Sequence, residues 1–334
     1  MKTNYYLFNP GRLSRRDNTL KFTPVDKEGK DLAPRYLPVE QVDSLFVFGS
    51  LDANSALYNF LGKNNITVHF FDYYENYTGS FAPKNGILSG RMLIAQTKAY
   101  SNKKHRLYIA KQFIIGAAYN ILKNLKYYKN RGKSLQDYIN KIEEFYNIIE
   151  DVDSVKELMG IEGNIRKIYY QAFDEIIKDY SMDGRSMQPP ENIVNCLISF
   201  GNMVCYADCF RSISQTQLDA TISYLHEPGE RRYSLTLDIS EVFKPLLVDR
   251  VIFKVLNKGI LSRNDFDSKV NKILLKDNGR KKFMQAYDEH LKTTFKHRSL
   301  NRPVSYKHLI KLECYKLQKD LLNLEEYKSF KMYW

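Results

Sequence analysis

Through the N-terminal quarter of the chain, β-branched and aromatic residues alternate or cluster between Gly, Asn, Asp and Pro, the pattern of short strands with one buried face. Residues 5–8, 19–22, 36–39, 44–48 and 67–71 are the strand candidates. One helix interrupts them: Asn54 or Ser55 can cap an apolar-periodic segment through Leu57, Phe60 and Leu61 that ends at Gly62. The run Phe81-Ala-Pro-Lys-Asn-Gly86 breaks both periodicities. It divides the chain into a β-rich domain (1–83), a hinge (84–90) and a second domain (91–334).

Beyond the hinge the apolar spacing becomes helical. Leu88, Met92 and Ala95 share one face, and Ile109, Phe113, Ile114 and Ala117 share another. The basic, tyrosine-bearing stretch 123–133 reads as a helix end and turn, with a DNA-backbone contact as the alternative, and Leu135 opens another helix towards Ile149. Pro189 and Pro190 suit the first turn of an apolar helix through Ile193, Leu197, Ile198, Met203 and Val204. Residues 242–256, 266–274 and 306–322 continue the helical spacing. The expected class is α+β: a small β domain followed by a larger all-helical domain.

Composition narrows the partner. Lys and Arg number 51 against 38 Asp and Glu, a net charge of +13, which favours a polyanion and, among polyanions, nucleic acid over a membrane surface. No run suggests a membrane helix, and the N-terminal segment lacks the apolar core of a signal peptide, so a cytoplasmic protein is expected. Cys196, Cys205, Cys209 and Cys314 form no CxxC pair, which argues against a zinc ribbon or disulfide framework.

Three stretches carry candidate chemistry: Leu158-Met-Gly-Ile-Glu162-Gly, Tyr224-Leu-His226-Glu-Pro-Gly and Leu237-Asp238-Ile-Ser-Glu241-Val-Phe-Lys244-Pro. Two carboxylates and an imidazole suit manganese or magnesium, and the imidazole tilts the choice to manganese. Each stretch also has a plainer explanation. Glu162 and Arg166, four apart on a helix, suit a surface pair. His226 suits a turn opened by Pro228-Gly229, and Asp238-Ile-Ser-Glu241 fits a capping box with Asp238 as the cap.

The order of Met159-Gly-Ile-Glu162-Gly, Leu197-Ile-Ser-Phe-Gly201, Leu225-His226-Glu-Pro and Leu237-Asp238-Ile-Ser-Glu241-Val-Phe-Lys-Pro-Leu-Leu-Val-Asp-Arg250 resembles the integrase of CRISPR spacer acquisition, the Cas-one family. The resemblance implies that Glu162, His226 and Glu241 ligate Mn2+ or Mg2+, with Asp238 as an accessory acid and Lys244 as a phosphate contact. It places Asn195 and Ser199 in a segment facing the site, where Arg166 and Tyr170 are further candidates for contact with DNA. Many relatives carry Asp where this chain has Glu241. The implied activity joins captured DNA into an array by attack of a 3′-hydroxyl on a phosphodiester, or hydrolyses DNA when water attacks. The implied partners are double-stranded DNA, a second copy of the chain through the β domains, and a small ferredoxin-like protein, Cas-two. A noncatalytic nucleic-acid scaffold and a nuclease for branched DNA are the alternatives.

Overall fold

In a computed structural model the chain forms two compact units, Met1–Gly86 and Ile87–Trp334. The described residues are all except 1, 27, 73, 84–88, 187–188, 230–232, 270–271 and 334. Most of the expected hinge therefore lies outside them.

The first unit contains β1 (Thr3–Leu7), β2 (Gly11–Arg16), β3 (Thr19–Pro24), β4 (Arg35–Pro38), β5 (Val42–Val47), β6 (Leu51–Asp52), α1 (Ser55–Lys63), β7 (Thr67–Phe71) and β8 (Tyr77–Phe81). One sheet has the order β1-β5-β7-β8, with β1, β5 and β7 parallel and β8 antiparallel at the edge. The other has the order β4-β3-β2-β6. Leu13, Leu20 and Phe22 from this second sheet join Leu45, Val47 and Val68 from the first and Leu57 and Leu61 from α1 in one apolar core. Asn54 caps α1 as expected, accepting the Leu57 N–H at 3.0 Å. The strands β2, β6 and β8 were not among the sequence candidates. In β2 the inward positions are Gly11 and Leu13, so a single large apolar side chain marks the whole strand.

The second unit contains α2 (Gly90–Ser101), α3 (Lys103–Lys129), α4 (Gln136–Asn147), α5 (Val155–Gln171), α6 (Phe173–Ile176), α7 (Ile193–Ser214), α8 (Ser234–Lys244), α9 (Arg250–Asn257), α10 (Asp277–Lys292) and α11 (Tyr306–Leu321). A π-helical turn, Pro245–Asp249, joins α8 to α9. Pro245 has no N–H to donate, so the regular ladder breaks there and the wider turn takes up the change. Two polar residues of α3 fix the neighbours of this turn. Asn120 donates to the Val242 and Phe330 carbonyls at 3.1 and 3.2 Å, and Asn124 donates to the Pro245 carbonyl at 2.7 Å and to the Tyr169 hydroxyl at 3.1 Å.

Two expectations for this unit need correction. Residues 266–274 are not helical: β9 (Phe266–Lys269) and β10 (Lys272–Leu275) form an antiparallel ladder, and β11 (Thr294–Lys296) pairs with β12 (Pro303–Ser305). Short apolar runs fit either period, and here a turn capped by Ser262 and Asp265 delivers the chain into an extended conformation at Phe266. Pro189 and Pro190 precede the cap Asn192 instead of occupying the first turn of α7. The 22-residue α7 is long and apolar enough to cross a membrane by length and composition, but most of it is buried within the helical unit. All four cysteines are free and buried, as small core residues.

Candidate metal centre

Helix α5 begins at Ser154, whose hydroxyl accepts the Glu157 N–H at 3.2 Å. Leu158, Ile161, Ile165 and Tyr169 form its buried stripe. Glu162 borders that stripe and keeps partial solvent access, whereas Arg166, one turn later, is buried. The Arg166 Nε donates to Glu162 Oε1 at 3.2 Å, and its Nη2 donates to Glu241 Oε2 at 2.5 Å. The pairing of Glu162 with Arg166 is real, but it is a buried bridge between two carboxylates and not a surface pair.

The capping box read at Asp238-Ile-Ser-Glu241 does not form. Helix α8 starts at Ser234, which puts both carboxylates inside it. Asp238, fully buried, turns towards the preceding loop. Its Oδ2 accepts the N–H groups of Tyr224 and Leu225 at 2.7 and 3.0 Å, and its Oδ1 accepts the His226 N–H at 3.0 Å. The same Oδ1 lies 2.8 Å from His226 Nδ1. The carboxylate thus fixes Nδ1 as a donor and leaves Nε2 as the nitrogen able to ligate. Burial alone would lower the proton affinity of His226; the Asp238 carboxylate outweighs it and raises that affinity above the usual histidine value.

Glu241 is 5% exposed and holds two cations: Arg166, and Lys244 with its Nζ 2.5 Å from Oε1. Burial works to raise its pKa, but Lys244 and Arg166 prevail and keep the carboxyl below the ordinary glutamate range. Glu162 shifts the other way, first through burial and then through the nearby Glu241 charge. Glu162 and Glu241 are therefore close enough to repel, and Arg166 and Lys244 balance them. Among the described residues, no three His, Cys, Asp or Glu side chains stand together in metal-ligating range. The donor chemistry nonetheless suits a divalent cation: Glu162 and Glu241 repel each other, and Glu241 also senses His226, an imidazole whose second nitrogen is oriented by a buried acid. Such a cation would displace Arg166 and Lys244 from the carboxylate oxygens.

The remaining expected residues divide. Tyr170 lies on α5 and is electrostatically coupled to Arg166, Lys244 and Arg185. Asn195 is fully buried, and its amide donates to the Gly184 and Met182 carbonyls at 2.8 and 3.4 Å. Its Oδ1 accepts the Ser186 N–H at 3.2 Å and Arg185 Nη1 at 2.9 Å. Ser199, partly exposed, accepts Arg185 Nη2 at 3.1 Å. Sequence reasoning missed Arg185, and also Asp249, which ends the π-helical turn and is fully buried with Oδ2 lacking a hydrogen bond. Burial raises the Asp249 pKa to about 7, against the opposing pull of Arg166. The signal for Asp249 lay in the quoted Val-Asp-Arg250 run; Arg185 sits in a loop with no periodicity.

A strand-rich unit followed by a helical unit that carries two mutually repelling acids and an oriented histidine defines a two-part α+β protein with a polar, charge-balanced centre on its helical part. The chain belongs to the CRISPR associated protein Cas1 family, whose model matches residues 5–289. It is 44% identical over 335 residues to a CRISPR-associated endonuclease Cas1 of Fusobacterium nucleatum subsp. nucleatum, covering 100% of this chain and 98% of that protein. It also resembles a solved Cas1 protein of Thermotoga maritima, with a TM-score of 0.84 and 36% identity over 98% of this chain and 99% of that one. The fold is shared with a casposase bound to integration product, at a TM-score of 0.88 and 22% identity over 99% of this chain and 93% of that one.

Proposed function

We propose that this chain is a divalent-metal-dependent DNA endonuclease and integrase of CRISPR adaptation, with Glu162, His226 Nε2 and Glu241 as ligands for Mn2+ or Mg2+. The observation that carries the reading is that Glu241 is close enough to repel Glu162 and to raise the proton affinity of His226, whose Nδ1 is held by Asp238. A cation held by these residues would supply Lewis-acid stabilisation of charge on a phosphodiester. Asp238 keeps the imidazole in one orientation and one tautomer. Arg166 and Lys244 neutralise the empty carboxylates, and once released from them they offer charge-assisted donors to phosphate oxygens. Joining is a transesterification: a DNA 3′-hydroxyl forms one phosphodiester while another breaks, and the displaced 3′-hydroxyl leaves with the proton. With water in place of the hydroxyl, the same centre hydrolyses DNA.

Family membership, the endonuclease name of the Fusobacterium relative and the +13 charge support DNA as the substrate, as spacer precursor and as CRISPR repeat. The proposed assembly is a homodimer through the β-rich units, bridged to a second dimer by a small ferredoxin-like partner, Cas-two. The test combines a short duplex, a supercoiled plasmid carrying a leader and repeat, the partner protein and manganese. Metal-dependent covalent joining is expected. Tight DNA binding with neither joining nor cleavage at any manganese or magnesium concentration would overturn the proposal in favour of a noncatalytic scaffold.

A further inference from the structure

Arg185 stands in the 182–186 loop ahead of α7, and uncharged oxygens alone hold its guanidinium. Nη1 donates to Asn195 Oδ1 at 2.9 Å and to the Ser186 carbonyl, and Nη2 donates to Ser199 Oγ at 3.1 Å. Among the described residues no carboxylate lies within ion-pairing distance of it, whereas Arg166 has two and Lys244 has one. Burial accordingly lowers its proton affinity from the usual arginine value. A partly desolvated cation with no carboxylate in ion-pairing distance, sensing Asp249 only from farther away, strengthens any contact with an anion that reaches it.

The loop is tied to α7 by side-chain hydrogen bonds. Asn195, fully buried, fastens Met182, Gly184, Arg185 and Ser186 to the start of α7. Tyr170, on the helix that carries Glu162 and Arg166, neighbours the same guanidinium. Tyr170 in turn senses Lys244, so the cation belongs to the surroundings of the carboxylates. Glu162, Tyr170, Arg185, Ser199, His226 and Lys244 all keep partial solvent access.

We infer that Arg185, aimed by Asn195 and Ser199, binds a backbone phosphate of the DNA strand beside the Glu162, His226 and Glu241 centre. The inference deepens the function proposed above and rests on it for the identity of the anion. It makes Arg185 a binding residue set into the scaffold, and it makes Asn195 a positioning residue that acts through Arg185.

The test measures binding of the full chain to labelled DNA with a 3′ overhang, without divalent metal, at several salt concentrations. Wild type, Arg185→Gln and Arg185→Lys are compared on unmodified DNA and on a series carrying one neutral methylphosphonate at successive linkages near the 3′ end. Arg185→Gln should weaken binding roughly tenfold and lower the slope of log affinity against log salt by about one, the signature of one lost phosphate contact. At one linkage the methylphosphonate should weaken wild type by a similar factor and leave Arg185→Gln unaffected. Arg185→Lys, which keeps the charge, should retain the slope and fold even if the glutamine variant does not. An unchanged slope in Arg185→Gln, or an equal loss for it at every linkage, would overturn the inference. Wild-type protein that shows the Arg185 contact but never joins or cuts DNA with metal would overturn the proposed function and leave the phosphate contact standing.

Discussion

Asp238 accepts four hydrogen bonds from three consecutive residues, three from backbone N–H groups and one from the His226 ring. An asparagine there keeps one accepting oxygen and turns an NH2 group towards donors. Asp238→Asn should therefore lower manganese affinity by about 10–100-fold in calorimetry, the usual cost of losing a residue that orients a ligand. It should also remove the upward shift of the His226 pKa, followed by NMR; an unchanged His226 titration would release Asp238 from this role. Glu241→Gln leaves the buried Arg166 with Glu162 as its remaining carboxylate and the partly exposed Lys244 without its ion pair, so chemical denaturation should show a loss of about 1–3 kcal/mol. Asp249 acts on stability in the opposite sense. Its folded pKa of about 7 lies above its ordinary value of 3.8, so between those values the folded protein holds a proton that the unfolded chain has released. Stability contributed at this site is full at low pH, falls as pH rises through the window and stays low above it. The melting temperature of Asp249→Asn relative to wild type should rise between pH 4 and pH 8, and a flat difference would contradict an acid whose burial outweighs its cationic neighbours.

At the scale of elements, the packing of α7 against the π-helical turn sets where α8 carries Glu241. A Cβ on Gly201 of α7 would lie 2.5 Å from Val248 Cγ1 and 3.2 Å from the Phe283 ring. Gly201→Ala should therefore cost about 1–3 kcal/mol in a denaturation curve by overpacking, and no loss would mean that the turn gives way freely. The same elements mark what the sequence could reveal. The cap and apolar face of α1 were legible, as were β1, β3, β4, β5 and β7, because each carries its own alternation or cap within a few residues. Strand β8, with Thr78, Gly79 and Ser80 at its centre, has no apolar alternation to read, and its place comes from pairing with β7. In the centre, motif order singled out Glu162, His226 and Glu241 as candidates, but local spacing assigned Asp238 to a cap. Its true partners lie 12 to 14 residues earlier, beyond the reach of helix-spacing rules. Arg185 depends on Asn195 and Ser199 across a loop, and Asp249 depends on burial by helices far away in sequence; neither dependence has a local signature.

For the molecule as a whole, the net charge of +13 makes association with DNA largely a matter of counterion release. Affinity for duplex DNA should fall by at least about a hundredfold between about 50 and 200 mM salt, measured by fluorescence anisotropy, and a nearly flat dependence would contradict a phosphate-dominated interface. Charge of this kind binds DNA without cutting or joining it, so chemistry must be separated from binding. Glu241→Gln makes that separation, because it removes one anionic oxygen from the centre and none of the basic surface. The decisive measurement is covalent strand joining into a leader-and-repeat plasmid by wild type and Glu241→Gln, with manganese and magnesium in turn, alongside DNA binding by the same samples. Wild type should join only with metal, and Glu241→Gln should bind DNA with the wild-type salt dependence and join none. A Glu241→Gln protein that joins DNA as wild type does with both metals would contradict the metal centre.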